Sequence, residues 1–205
     1  IQLPDRTFLA SMGEYCDGPI GNCTITQNRA PDLWTPLPGQ EADLLTTLGE
    51  APQDVFYPHL FIHPKNGRVF YAPAGQVGDD LSWQSTLYDP STNLWESYLP
   101  IPSGFPNVRW VYSSSVMMDG KIYRSGGHRT GGSTEDASKA CVAIDLNADN
   151  PQWQVLPNML FKRTNHCLVA LPDGRILAVG GNVRGDRMAA SDCLTPEAFD
   201  TEAAN

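Results

Sequence analysis

The chain is poor in charge and lacks a basic cluster. Asp and Glu outnumber Lys and Arg by 23 to 14 in 205 residues, a formal net charge of −9. That balance excludes nucleic acid and anionic membrane surfaces as partners, because nothing would neutralise phosphates. Apolar runs are short, and none approaches the roughly 18 residues that a membrane-spanning helix needs. Long stretches with a helical period of 3.6 are missing. No Ser-His-Asp elbow, phosphate-binding glycine loop or CxxC zinc pattern occurs. What is abundant is Gly (18) and Pro (17), the composition of short strands joined by tight turns. The chain opens at Ile1 without Met or a signal-peptide pattern, and reads as processed or excised.

Cysteine is sparse, with five residues. Cys16 and Cys23 bracket the turn-rich DGPIGN, and a disulfide between them would close an eight-residue loop. Unstrained, it would contribute roughly 2.5 kcal/mol. Asn22-Cys23-Thr24 forms an N-glycosylation sequon in the same loop. An oxidised, glycosylated loop places the protein outside the cell. The alternative is buried thiols and a sequon that arose by chance. Cys141, Cys167 and Cys193 leave an odd thiol, so their pairing stays open.

Internal repetition is the dominant signal. Leu171-Pro172-Asp173-Gly174-Arg175-Ile176-Leu177-Ala178-Val179-Gly180-Gly181 is matched by Met118-Asp119-Gly120-Lys121-Ile122-Tyr123-Arg124-Ser125-Gly126-Gly127. Lys65 to Ala74 is a third copy, with Pro-Ala for Gly-Gly, and Leu3 to Gly13 a degraded fourth. The turn residues 5, 66, 119 and 173 lie 61, 53 and 54 positions apart. A second marker, Trp34-Thr35, Tyr88-Asp89, Ile144-Asp145 and Phe199-Asp200, keeps spacings of 54, 56 and 55, and Trp95 and Trp153 follow two of its copies. Asp-Gly or Asn-Gly between apolar runs predicts a hairpin with a type I′ turn. The runs Tyr57 to Ile62, Val111 to Met117 and Asn165 to Leu171 are then first strands, and the runs after the turns second strands. The Tyr-Asp-type marker is the third strand and the Trp lies on the fourth. Gly-Gly permits close backbone approach between units. Such a unit cannot bury both of its apolar faces alone, so units stack around an axis.

The prediction is an all-β fold, a kelch-type β-propeller segment of about four blades, each a four-stranded antiparallel sheet, in an incomplete ring. Residues 1–205 form one partial domain with repeats near 1–50, 54–100, 107–157 and 161–205. The first copy starts at its second strand. The open arc calls for the remaining blades or a partner chain to cover its edges.

The repeats resemble the propeller of the galactose oxidase and glyoxal oxidase family, secreted copper-radical oxidases. Phe56 to Leu60 with Asn66 to Tyr71, Arg109 to Gly127, Arg163 to Asn182 and Thr195 to Asp200 carry the resemblance. It implies oxidation of a primary alcohol or aldehyde with reduction of O₂ to hydrogen peroxide, at copper held by two tyrosines and two histidines. The family's cross-linked cysteine, its radical tyrosine and a shielding tryptophan fall here on Tyr57, Val111 and Arg129. Each is a departure. Tyr112 is one residue along and points to the opposite face. Arg163-Thr164-Asn165-His166 is similar to the family's Arg-x-Tyr-His stretch, with Asn165 for the tyrosine, and its spacing to Gly174 matches the preceding, non-catalytic blade better. The resemblance thus implies no cofactor in this segment, and copper only if the full-length protein is an active oxidase.

His59 and His63 stand four apart, which on a strand separates them by roughly 13 Å, too far to share one ion. His166 on an inner strand faces the axis. The loops after the two Gly-Gly pairs, with His128, Arg129, Asn182 and Arg184, are the candidate contact surface. Carbohydrate is a fitting ligand class for such loops. Met117-Met118 read as core filling, and Asp79-Asp80 and Glu135-Asp136 as solvated loop acids.

Overall fold

The computed structural model describes residues 1–10, 13–17, 24–28, 30–37, 44–51, 58–72, 84–100, 110, 112–128, 137–184 and 192–201. Sixteen strands and no helix occur among them, so none of the described segments is a helix long and apolar enough to cross a membrane. Four successive antiparallel sheets follow the repeat. Strands β6 (His59–Ile62), β7 (Val69–Ala72), β8 (Gln84–Asp89) and β9 (Leu94–Pro100) form one meander. Strands β10 (Ser114–Met118), β11 (Lys121–Ser125), β12 (Cys141–Asp145) and β13 (Trp153–Leu156) form the next. The last sheet has β14 (Cys167–Ala170), β15 (Arg175–Val179) and β16 (Glu197–Asp200).

The first sheet joins β1 (Phe8–Ala10), β4 (Asp32–Thr35) and β5 (Leu44–Thr47). A separate hairpin, β2 (Gly13–Asp17) with β3 (Thr24–Asn28), is inserted between β1 and β4. It accounts for the longer first repeat. The expectation that this blade starts at its second strand needs correcting. Ile1 and Leu9 exchange hydrogen bonds at 2.8 Å in both directions, and Gln2 bridges Phe8. Residues 1–3 are thus a stub of the first strand.

Turn chemistry divides the hairpins. Asp119 (φ 52°) and Gly120 (φ 78°) are both left-handed, the expected type I′ pair. In the other two, only the glycine has positive φ, Gly67 at 70° and Gly174 at 84°. There the amides of Gly67 and Gly174 donate to the carbonyls of His63 and Leu171, which makes longer loops of the glycine-bulge kind.

Strand alternation builds the core between the sheets. On β7, Val69 and Tyr71 face the first blade with Leu3, Leu9 and Leu33, while Phe70 and Ala72 face the third with Ile122, Val142 and Ile144. On β11, Tyr123 turns to the fourth blade and meets Leu168, Ile176 and Ala178. Strands buried on both faces explain the continuous apolar run Val69–Ala72, of which every residue is buried. The fourth-strand tryptophans lock neighbouring blades. Trp95 Nε1 donates to the Gly49 carbonyl at 3.0 Å, and Trp153 Nε1 to Ser85 Oγ at 3.1 Å.

The Gly-Gly pairs do what close approach requires. Gly126 (φ 71°) leaves no room for a Cβ, which would meet the Arg163 carbonyl and come within 2.6 Å of His166 Cε1. Gly181 (φ 89°) is hemmed by the Thr164 carbonyl at 2.5 Å and His166 Cβ at 2.7 Å. Gly180 (φ 69°) has nothing within 4 Å. Gly126→Ala combines a left-handed backbone with overpacking and is expected to cost about 3 kcal/mol or more, against about 1 kcal/mol for Gly180→Ala. Urea unfolding of the two variants checks the ordering, and equal costs would contradict it.

Candidate functional site

The innermost strands β6, β10 and β14 are neighbours, with β10 between the other two. Polar residues gather at their leading ends. Arg124 alternates with Ile122 on β11 and so faces the second blade. Its side chain is buried, with Nε donating to Ser113 Oγ at 2.9 Å and Nη2 to the Trp110 carbonyl at 3.4 Å. The guanidinium lies 5.2 Å from the Trp110 ring centroid, a cation–π geometry. Burial pulls its pKa down to about 9.

His166 sits one blade on. Its Nε2 is 2.9 Å from Ser125 Oγ, its ring fills the space left by Gly126, and its Cα and Cβ close on Gly181. Burial first, then Arg163, then His59, lower its pKa to about 4. His59, on the neighbouring β6, is lowered to about 4 by burial and by the Arg124 charge. The Nδ1 atoms of both rings are buried without a hydrogen-bond partner. At neutral pH two uncharged imidazoles therefore stand within the field of two guanidinium groups.

Arg163 is held by a second set of contacts. Nε pairs with Glu197 Oε1 at 3.0 Å, Nη1 donates to the Gly180 carbonyl at 2.7 Å, and Nη2 donates to the Thr195 carbonyl. Glu197 also accepts the Leu160 amide at 2.6 Å and the Phe161 amide at 3.3 Å. Both side chains are almost wholly buried. The pair ties the connection between the third and fourth blades to β16.

The structure scatters the residues expected at the contact surface. His128 does not lie on an exposed loop. It is 1% exposed, bridges Ala137 and turns its ring edge-on to Tyr112 at 5.6 Å. Asn182 is half-buried and exchanges backbone hydrogen bonds with Thr164, while Arg184 is exposed. His63 lies in a hairpin turn, where its Nδ1 accepts the Lys65 amide at 3.2 Å. Tyr57, Val111, Arg129, Asn22 and Cys23 lie outside the described residues, so the Cys16–Cys23 pairing does too. Cys16 belongs to β2, opposite Ile25 of β3.

Copper fits this cluster poorly. Among the described residues no three His, Cys, Asp or Glu side chains converge as a metal site. Arg124 and Arg163 oppose a further cation, and the Cε1–Nδ1 edge of His166 packs close to Gly126. Sequence reasoning did not find Arg124 or the Arg163–Glu197 pair. The signal for Arg124 was alternation with Ile122 on a strand buried on both faces.

No family model matches the chain. Adagio-like protein 3 of Oryza sativa subsp. japonica is 33% identical over 92 residues, which cover 42% of this chain and 15% of that protein. The solved structure of YjhT superposes with a TM-score of 0.67 at 14% identity, covering 88% of this chain and 57% of that one. A fungal alcohol oxidase of the AA5 family, solved in complex with copper, superposes with a TM-score of 0.52 at 19% identity, over 86% of this chain and 48% of its own. The chain thus spans about half the length of the structures it matches. The likeness shows a β-propeller fold.

Removing the carboxylate from the buried pair tests the role given to Arg163. Glu197→Ala strands a guanidinium in the interior and is expected to cost about 3 to 5 kcal/mol. Calorimetric unfolding checks this, and a change below about 1 kcal/mol, as for a surface pair, would contradict it.

Proposed function

We propose that these blades are the wall of a secreted, galactose-oxidase-like kelch propeller and serve as a scaffold or a binding and assembly module, without oxidation chemistry of their own. The observation that carries this reading is the use made of His166. In the one stretch similar to the family's Arg-x-Tyr-His, the histidine is spent on packing, with Nε2 on Ser125, its ring against Gly126 and its Cβ against Gly181. Its companion Arg163 is spent on Glu197. The substitutions at Tyr57, Val111 and Arg129 point the same way.

The partners in this reading are the remaining blades or a partner chain. Carbohydrate is the ligand class in this reading, with the exposed Arg184 as a donor to sugar hydroxyls. A disulfide between Cys16 and Cys23 and a glycan on Asn22 belong to the same extracellular reading.

A second reading is favoured by the likeness to the copper-bound fungal alcohol oxidase. In it the whole protein is a copper-radical oxidase whose metal-bearing blades are separate from these residues. Fold likeness alone does not choose between the two.

Copper titration of the 205-residue chain, followed by a peroxide assay with a primary alcohol and an aldehyde, tests the proposal. The expected result is no stoichiometric copper and no peroxide. One tightly bound copper per chain with peroxide release would overturn it. Peroxide from the native polypeptide alone, loaded with copper, selects the second reading.

A further inference from the structure

The seam between the second and third blades changes character along its strands. Phe61 pairs with Phe70 and Met117 with Ile122, and these four side chains belong to one apolar core. One alternation step toward the leading ends, His59 pairs with Ala72 and Ser115 with Arg124. Residues two apart on a strand share a face, as do residues directly opposite each other. His59, Ser115 and Arg124 therefore look into the same seam, from its two sides.

Two polar groups there are left over. His59 Nδ1 and Ser115 Oγ are buried without a hydrogen-bond partner, although both side chains are only half-buried. The next seam gives the contrast. Its inner register pair is Ser114 with Ser125. Ser114 Oγ accepts the Leu168 amide at 3.1 Å, and Ser125 Oγ lies 2.9 Å from His166 Nε2. That seam satisfies its inner hydroxyls within the protein, and the seam at His59 does not.

The charges around His59 say what would satisfy it. The Arg124 guanidinium depresses its protonation, after burial. From the fourth blade side come His166, itself uncharged at neutral pH, and Arg163, whose charge is matched by Glu197. A neutral imidazole keeps one N–H and a serine one O–H, and both can turn toward a group that only accepts. A metal ion is repelled by Arg124, and a water would bring its own protons toward the same charge. An anion meets two donors and an attractive field, in a seam where low polarity strengthens both.

We propose that the inner end of the seam between the second and third blades binds a small monovalent anion, a carboxylate or a halide, held by His59 Nδ1–H and the Ser115 hydroxyl beside the Arg124 guanidinium. The half-buried edges of His59 and Ser115 are the way in. This goes beyond the scaffold reading and does not depend on it. Copper uptake tests that reading and anion uptake tests this site, so the two fail separately.

The experiment titrates sodium formate into the 205-residue chain at neutral pH, in a buffer of a bulky sulfonate, holding ionic strength constant. The His59 imidazole resonances are expected to shift and saturate, with half-saturation at about 1 mM or above, the limit for so small a ligand. Ser115→Ala is expected to weaken formate about tenfold. In sulfonate alone this variant melts at or above the wild-type temperature, because it deletes a hydroxyl without a partner; formate then raises the melting temperature of the wild type more than that of the variant. Chloride that displaces formate marks a site open to halides, and chloride without effect marks a carboxylate site. No saturable shift up to about 100 mM formate, equal half-saturation in Ser115→Ala, or a lower melting temperature of that variant in sulfonate would overturn the proposal.

Discussion

A sheet with apolar side chains on both faces is stable only between two others, and the chain meets that constraint by bringing backbones together where blades converge. Gly126 and Gly181 mark the place. Their left-handed conformations and missing Cβ atoms let the Arg163 carbonyl and the His166 ring close against Gly126, and the Thr164 carbonyl and His166 Cβ against Gly181. The amide of Gly127 donates to the Arg163 carbonyl at 2.9 Å. Once the seam is closed, alternation along β7, β11 and β15 sorts the side chains into three inter-blade cores. The tryptophans of the outer strands hold the rim.

The same seam decides the chemistry of the inner end. Polar groups drawn into it lose their water and must find partners in the chain. Arg124 uses Ser113 and the Trp110 carbonyl; Arg163 uses Glu197 and two carbonyls. The two imidazoles answer burial and positive neighbours by remaining neutral. A cluster that looks functional by composition thus consists largely of groups committed to holding blades together. The rim differs, since the cleft lined by Cys141 and Phe199 leaves apolar surface open among the described residues.

The parts of this arrangement governed by local pattern were legible in the residues. Asp-Gly and Asn-Gly marked hairpins, Gly-Gly marked close approach, and Trp95 and Trp153 fell on outer strands as the spacing required. Turn type was less legible, since Asp173-Gly174 has the same letters as Asp119-Gly120 and Asn66-Gly67 carries the same hairpin signal, yet both close longer loops. Pairing decides that difference, and the dipeptide does not carry it. The Arg163–Glu197 pair joins residues 34 apart, and no periodicity announces it. His128 read as a loop residue because it follows Gly-Gly. Its burial comes from the bridge to Ala137 and from Ser138 N–H reaching the Gly127 carbonyl, both set by the return of the chain.

The central claim is that the inward histidines are packing groups held neutral by burial and by the neighbouring guanidinium charges. Four histidines make the chain tractable for an NMR titration of the imidazoles. The account predicts that His59 and His166 stay neutral down to about pH 4 and that substoichiometric copper(II) leaves both resonances sharp. A midpoint near 6.5 for either ring, or selective broadening of the two by copper, would contradict it.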